Sequence, residues 1–288
     1  LPLAGGAAVI LVKADARRSF YLALTSAGLH TMAAGLLFWH VHLNGILATQ
    51  IGNWPAPFGI TLVADRLSAV MVMITALINL AVTSYSKADI GSDLIRRGHY
   101  CLLQILVGGI CGAFLTGDIF NLYVTLELLG LAAVALVALA GGADALTGAM
   151  RYLLISLLGS LSYLLGVALL YHAFGSVDIN ALGRLMTPMP AVWAAMGLMT
   201  AGLLFKTALF PLHFWLPPAH ASAPAPVSAV LSALVVKASF YILLRLWLAI
   251  FSDISGGVAG LFGLLGAGAV LWGSWQALQA ERLKLLAA

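Results

Sequence analysis

Apolar stretches of about twenty residues alternate along this chain with short polar breaks, and a bilayer-spanning helix needs that length. The stretches fall at about 19–41, 63–86, 99–116, 118–140, 147–173, 190–211, 225–251 and 257–279, and residues 1–12 read as the tail of one more. The pattern predicts an all-α integral membrane protein of about nine transmembrane helices. The longest polar connection, about 42–62, holds Gly52, Asn53, Trp54, Pro55, Ala56 and Pro57. Breakers at that density predict an ordered loop or short hairpin at the membrane surface.

Composition agrees. Hydrophobic residues make up 62% of the 288 and charged residues only 8%, against about 25% in a soluble domain. So few charges cannot cover a water-soluble globule. The net charge of +4 is spread between apolar runs rather than gathered in one patch, which argues against nucleic acid as a partner. Lys13, Arg17 and Arg18 follow the first stretch, Lys87, Arg96 and Arg97 the third, Arg151 the fifth, and Arg282 and Lys284 the ninth. Such alternation places these loops in the cytoplasm. Cys101 and Cys111 lie ten residues apart and read as packing residues, with neither disulfide nor metal-ligand spacing. Neither a phosphate-binding glycine loop nor a haem or iron–sulfur ligand set is present, so no cofactor and no metal are expected.

The segment 190–224 is too long for one simple span and carries Pro211, Pro217, Pro218 and Pro224 near its end, with Pro226 just beyond. Proline removes a backbone donor and clashes with the preceding turn. Freed backbone groups at membrane depth are tolerated only against protein or a wet cavity. A broken seventh helix is therefore predicted around Leu209–Leu216, with Pro211 and Pro217 as the breaking residues.

Most charges lie at span ends, but four fall well inside predicted spans: Glu127, Lys206, Lys237 and Arg245. A charge at the bilayer centre costs about 3 kcal/mol or more, so these side chains should face the bundle interior and find partners. Glu127 lies near mid-depth of its span, Lys206 five residues before Pro211, and Lys237 about twelve residues into the eighth span. Surroundings and neighbouring charges decide whether a buried carboxyl or amine holds its proton. Glu127, Lys206 and Lys237 thus read as a chain of exchange sites, against the plainer readings of a structural ion pair or of lysines snorkelling to the surface. Arg245 stays charged and cannot relay a proton by titration; it reads as an anchor or a snorkelling residue. His213 and His220 flank the predicted break. His213 is a candidate water-bridged partner of Lys206, or a helix cap. His30, His40 and His42 read as interfacial, Asp65 and Arg66 as a local ion pair, and Asp118 as a helix cap. Gly159, Ser160, Ser162 and Gly166 read as a close-packing stripe.

The run Phe205-Lys206-Thr207-Ala208-Leu209-Phe210-Pro211-Leu212-His213-Phe214-Trp215-Leu216-Pro217, followed by Ala219-His220-Ala221, resembles the signature of the antiporter-like membrane subunits. These occur in respiratory complex I, membrane-bound hydrogenases and Mrp-type sodium/proton antiporters. Phe120–Val124 leading to Glu127, and Arg151-Tyr152-Leu153, resemble the same family. The stretch Gly52–Ile60 with Ala64-Asp65 is most similar to the D subunits of Mrp antiporters. The resemblance implies a proton-translocating subunit working beside other membrane subunits of a hetero-oligomeric antiporter or respiratory complex. It would be a multi-pass protein of a bacterial-type inner membrane, moving protons, with Na+ a candidate counter-ion. A proton pump of an NADH:quinone oxidoreductase or hydrogenase, and a non-conducting scaffold, are the alternatives. In this family a glutamate pairs with a lysine on a broken seventh helix, which maps onto Glu127 and Lys206. A lysine on the eighth helix maps onto Lys237. The implied division is residues 1–98 for helices 1–3, residues 99–251 for a five-helix proton-translocating repeat, and residues 252–288 for the start of a second repeat. Members have about fourteen spans. Glu281-Arg282-Leu283-Lys284 resembles the opening of a tenth, so the sequence reads as a fragment.

Overall fold

Each apolar stretch closes into a helix, because only a helix satisfies its own backbone groups where water is absent. The computed structural model describes residues 1–11, 15–54, 59–91, 93–252, 254 and 258–280. Lys13, Pro55, Ala56, Pro57, Glu281, Arg282 and Lys284, singled out above, lie outside the described residues. In chain order the elements are α1 (Pro2–Leu11), α2 (Ala16–Asn44), β1 (Leu47–Gln50), β2 (Thr61–Ala64), α3 (Arg66–Asp89), α4 (Asp93–Leu115), α5 (Ile119–Ala138), α6 (Gly142–Phe174), α7 (Ile179–Leu185), α8 (Pro190–Thr207), α9 (Leu216–Ser222), α10 (Ala225–Val230), α11 (Val236–Ala249) and α12 (Val258–Gln279). A single wide π-helical turn, Leu231–Val235, joins α10 to α11. Among the described residues seven helical segments are long and apolar enough to cross a membrane, Ala225–Ala249 counting as one. The other two of the nine predicted stretches are the ten-residue α1 and α8, where the chain breaks.

Carboxylates mark the helix starts. Asp15, Asp65, Asp118 and Asp178 each accept a hydrogen bond from a backbone amide of the first turn, satisfying donors that the helix leaves free. Four of the ten acidic residues are thereby committed to capping. Between α2 and α3, β1 and β2 pair antiparallel, with Leu47 opposite Ala64 and Gln50 opposite Thr61. The hairpin is pinned onto the α4–α5 corner, where the Gly117 amide donates to the Thr61 carbonyl at 2.8 Å.

α6 and α8 form the most extensive helix pair, and small residues allow it. A Cβ at Gly159 would lie 2.7 Å from the Gly202 carbonyl oxygen, and one at Gly166 2.8 Å from that of Ala195. Ser162 Oγ donates to the Leu198 carbonyl at 2.8 Å. Backbones approach this closely in membranes where side chains are smallest. α12 sits at the rim, with none of its apolar window buried. It touches the rest through Phe262 against Trp247 and Trp272 against Phe210.

Two expectations change and one is decided. Asp65 does not pair with its neighbour Arg66: it caps α3 and meets Arg245 in a salt bridge, because its position at the helix start turns the carboxylate towards α11. That also decides the role of Arg245, which is an anchor. Its guanidinium donates to Tyr241 Oη at 2.7 Å, and Tyr241 Oη donates to the Phe114 carbonyl at 2.9 Å, so α11 is tied to α3 and α4. His30 is not interfacial like the exposed His40 and His42: it is 5% exposed, its Nε2 3.4 Å from Cys111 Sγ.

Candidate functional site

α8 ends at Thr207. Ala208 adopts a left-handed conformation, φ 53°, which costs a residue with a side chain about 1 kcal/mol or more. Residues 209–215 run as turns before α9 begins. Pro211 lies inside this break. Pro217, expected to help break the helix, instead stands in the first turn of α9, where its missing donor is not needed.

The carbonyls freed by the break find partners. The Phe205 carbonyl accepts from Trp215 Nε1 at 3.0 Å and from the Ala208 amide at 3.2 Å. The Leu204 carbonyl accepts from the Leu209 amide at 3.3 Å. Trp215, 2% exposed, stacks on Tyr152 of α6 at 4.4 Å between ring centroids and 14° between planes. The indole therefore both satisfies the break and fastens it to α6.

Lys206 sits in the last turn of α8 and is 5% exposed. Its Nζ donates to Ser156 Oγ of α6 at 2.8 Å and lies 3.9 Å from Glu127 Oε1 of α5. That second distance is ionic and too long for a hydrogen bond. Glu127 Oε1 is buried and accepts no hydrogen bond among the described residues. Gly130, one turn after Glu127 on the same face, leaves the room. A Cβ there would stand 3.0 Å from Ser156 Oγ and 3.6 Å from Lys206 Nζ. Three helices thus bring a carboxylate, a hydroxyl and an ammonium to one enclosed point beside a helix break. These are the groups between which a proton can pass.

The remaining candidates are placed differently. His213 lies partly buried within the break, its ring stacked on Phe210 at 5.8 Å, and its buried Nδ1 has no partner among the described residues. His220 in α9 is 5% exposed, with its Nε2 likewise without a partner. Lys237 is exposed, and its Nζ donates to the Ser232 carbonyl in the π-turn at 2.5 Å. Among the described residues no hydrogen bond joins Lys237 to Lys206, Glu127 or Ser156. The structure therefore brings Glu127 and Lys206 together and leaves Lys237 apart.

Ser156, Gly130 and Trp215 are site residues that sequence reasoning missed. One signal was available for Ser156. Tyr152, Ser156, Gly159, Tyr163 and Gly166 recur at spacings of four and three, a single helix face of small and polar residues. All five are buried.

Known proteins share this architecture. Residues 116–288 match the family described as NADH:quinone oxidoreductase/Mrp antiporter, transmembrane. The chain is 35% identical over 241 residues to the D subunit of the Na(+)/H(+) antiporter of Bacillus subtilis, an alignment covering 81% of this chain and 48% of that protein. It is 38% identical over 246 residues to the N subunit of the NADH-quinone oxidoreductase of Desulforudis audaxviator, covering 82% and 49% respectively. A chain in the structure of the Mrp complex from Dietzia sp. superimposes with a TM-score of 0.90 at 26% identity, over 99% of this chain and 54% of that one. The chain spans about half the length of the curated relatives it matches.

Proposed function

Because this chain belongs to the NADH:quinone oxidoreductase/Mrp antiporter transmembrane family, we propose that it is the proton-translocating membrane subunit of a multi-subunit Na+/H+ antiporter of a bacterial cell membrane. The observation that carries this reading is the Glu127–Lys206 pair, 3.9 Å apart at a helix break. A proton reaching Glu127 loosens the pair, and its departure restores it. Each change alters how firmly Lys206 is held, with Ser156 keeping the ammonium in place. His213, in the break, supplies the water-bridged step at Lys206. From there the proton passes by way of His220 towards Lys237, which faces the outside of this bundle. Residues 99–251 form the proton-translocating repeat, residues 1–98 support it, and residues 252–288 begin a second repeat. Other membrane subunits of the complex complete the path.

The Na+/H+ antiporter name of the Bacillus subtilis relative favours sodium as counter-ion. The similarity to a subunit of an NADH-quinone oxidoreductase supports a second reading, a proton pump driven by a redox reaction in partner subunits. One experiment separates them. The chain, purified with its partner subunits, is placed in vesicles carrying an imposed pH gradient. Collapse of the gradient on adding Na+ supports the antiporter. No response to Na+, with proton movement only during quinone reduction, supports the pump.

A further inference from the structure

A hollow of about 420 Å³ opens where α2 begins and α3 ends, far in sequence from the proposed relay. Arg17, Lys87 and Arg96 line it, together with Asp15, Phe20, Tyr21 and Tyr100. Two aromatic rings hold the Lys87 ammonium, at 5.0 Å from the Phe20 centroid and 6.0 Å from that of Tyr21, an attraction of ring face for cation. Arg96 Nε donates to the Ile90 carbonyl at 2.5 Å, which fixes its guanidinium at the rim. Among the described lining residues the one carboxylate, Asp15, is engaged as the α2 cap, accepting from the Arg18 amide at 2.8 Å. Tyr100 is 1% exposed, lines the hollow, and its hydroxyl has no partner among the described residues. Arg17, Lys87 and an unused buried donor thus face one cavity whose described lining holds a single, occupied carboxylate: a site suited to an oxyanion.

Its surroundings say which oxyanion. Tyr21 and Tyr85, at the same end of α2 and α3, are 46% and 55% exposed, and exposed tyrosines gather at the headgroup level of a bilayer. From Tyr21 an exposed stripe runs down α2 through Thr25, Leu29, Met32 and Leu36. Fifteen residues at 1.5 Å each make about 22 Å of outward surface, enough for an acyl chain to cross its leaflet of about 15 Å. The basic residues are those that the sequence places on the cytoplasmic side, the leaflet that carries anionic lipid. An acidic protein segment would account for the cations but not for the apolar stripe.

We propose that this hollow binds the phosphodiester of an anionic phospholipid of the cytoplasmic leaflet. Arg17 and Lys87 are its counter-charges, Tyr100 Oη donates to a phosphate oxygen, and an acyl chain lies along the α2 stripe.

The test uses the complete complex purified in a neutral detergent, titrated with phosphatidylglycerol, phosphatidylcholine or inorganic phosphate, with thermal stability and native mass spectrometry as readouts. Phosphatidylglycerol should stabilise the complex and stay bound, while phosphatidylcholine and phosphate should do neither. Each cation near the surface contributes about 1 kcal/mol to such binding, so the double variant Arg17→Gln/Lys87→Gln should lower phosphatidylglycerol affinity about thirtyfold. Its antiport in neutral lipid should be unchanged, since neither residue belongs to the proposed relay. Tyr100→Phe, which keeps the ring packed on Phe20, should weaken retention without altering the fold. Equal effects of the two lipids, or undiminished phosphatidylglycerol binding by both variants, would overturn the proposal. Stabilisation by inorganic phosphate alone would overturn the lipid assignment. Loss of a partner subunit from the double variant, with no lipid effect, would mark the hollow as a protein contact instead.

Discussion

Glu127→Gln changes one atom and removes one charge. Gln fills the volume of Glu and keeps a carbonyl oxygen where Oε1 stands, so packing against Gly130 and Ser156 is preserved. What disappears is the attraction between the carboxylate and the Lys206 ammonium at 3.9 Å. At an effective dielectric constant of about 20, two unit charges at that distance attract by about 4 kcal/mol. The Glu127 side chain is 20% exposed, so screening leaves about 2 kcal/mol as the working figure. If making and breaking this pair is a step of transport, that loss slows the step about thirtyfold, since each 1.36 kcal/mol is a factor of ten. The assay is the initial rate of Na+-dependent collapse of a pH gradient in vesicles containing the complete complex. Subunit content and thermal stability are checked in parallel, and both should match the unaltered complex. Glu127→Asp, which keeps the charge but withdraws it by one methylene, should fall between the two. If Glu127→Gln transports within twofold of the unaltered complex, the pair is structural and plays no part in moving the proton.

Ser156→Ala removes the hydroxyl that holds Lys206 Nζ at 2.8 Å. A hydrogen bond to a charged group contributes about 1.5–3 kcal/mol, so the same assay should show a loss of tenfold or more with the complex intact. Gly202→Ala places a Cβ against the Gly159 carbonyl oxygen. Such overpacking costs about 1–3 kcal/mol, which a lowered melting temperature of the purified complex should register. At Asp65, burial raises the carboxyl pKa, but hydrogen bonds from Arg245 and the Ser68 amide, with the Arg245 charge, more than offset it and hold it below the ordinary 3.8. A lowered folded-state pKa gives stability that is fully present above 3.8 and lost as pH falls through the folded value. Asp65→Asn should therefore be less stable at neutral pH by about 1–2 kcal/mol, a partly exposed pair lying between surface and buried cases. The gap should close below pH 3.8 in melting curves taken across pH.

The parts of this molecule that lipid dictates were legible in the sequence. Apolar length marks the helices, since nothing else can span, and prolines crowded after Lys206 mark the break. Glu127 and Lys206 stand out because an ionised group at mid-depth is costly and needs a reason. A serine is not costly there, so Ser156 does not stand out despite its spacing with Tyr152 and Gly159. Lys237 shows a different limit. Its depth in the span argues for an inward-facing charge, yet Lys237 is exposed, because depth does not say which side of a helix meets the bundle. Asp65 and Arg245 are 180 residues apart, and only the folded bundle makes them neighbours. The same holds for Trp215, whose indole is matched to a carbonyl that becomes free only when the helix breaks. The seven-residue α7 was too short to leave a periodic pattern.

The most direct test of the proposed relay is proton flux through vesicles containing the complete complex with Lys206→Met, which keeps an unbranched side chain of similar length and removes the amine. Na+-dependent proton movement should fall to the level of empty vesicles while the complex assembles normally. Proton movement at the unaltered rate would contradict a relay through Lys206, because a residue that carries the proton cannot be replaced by one that holds none.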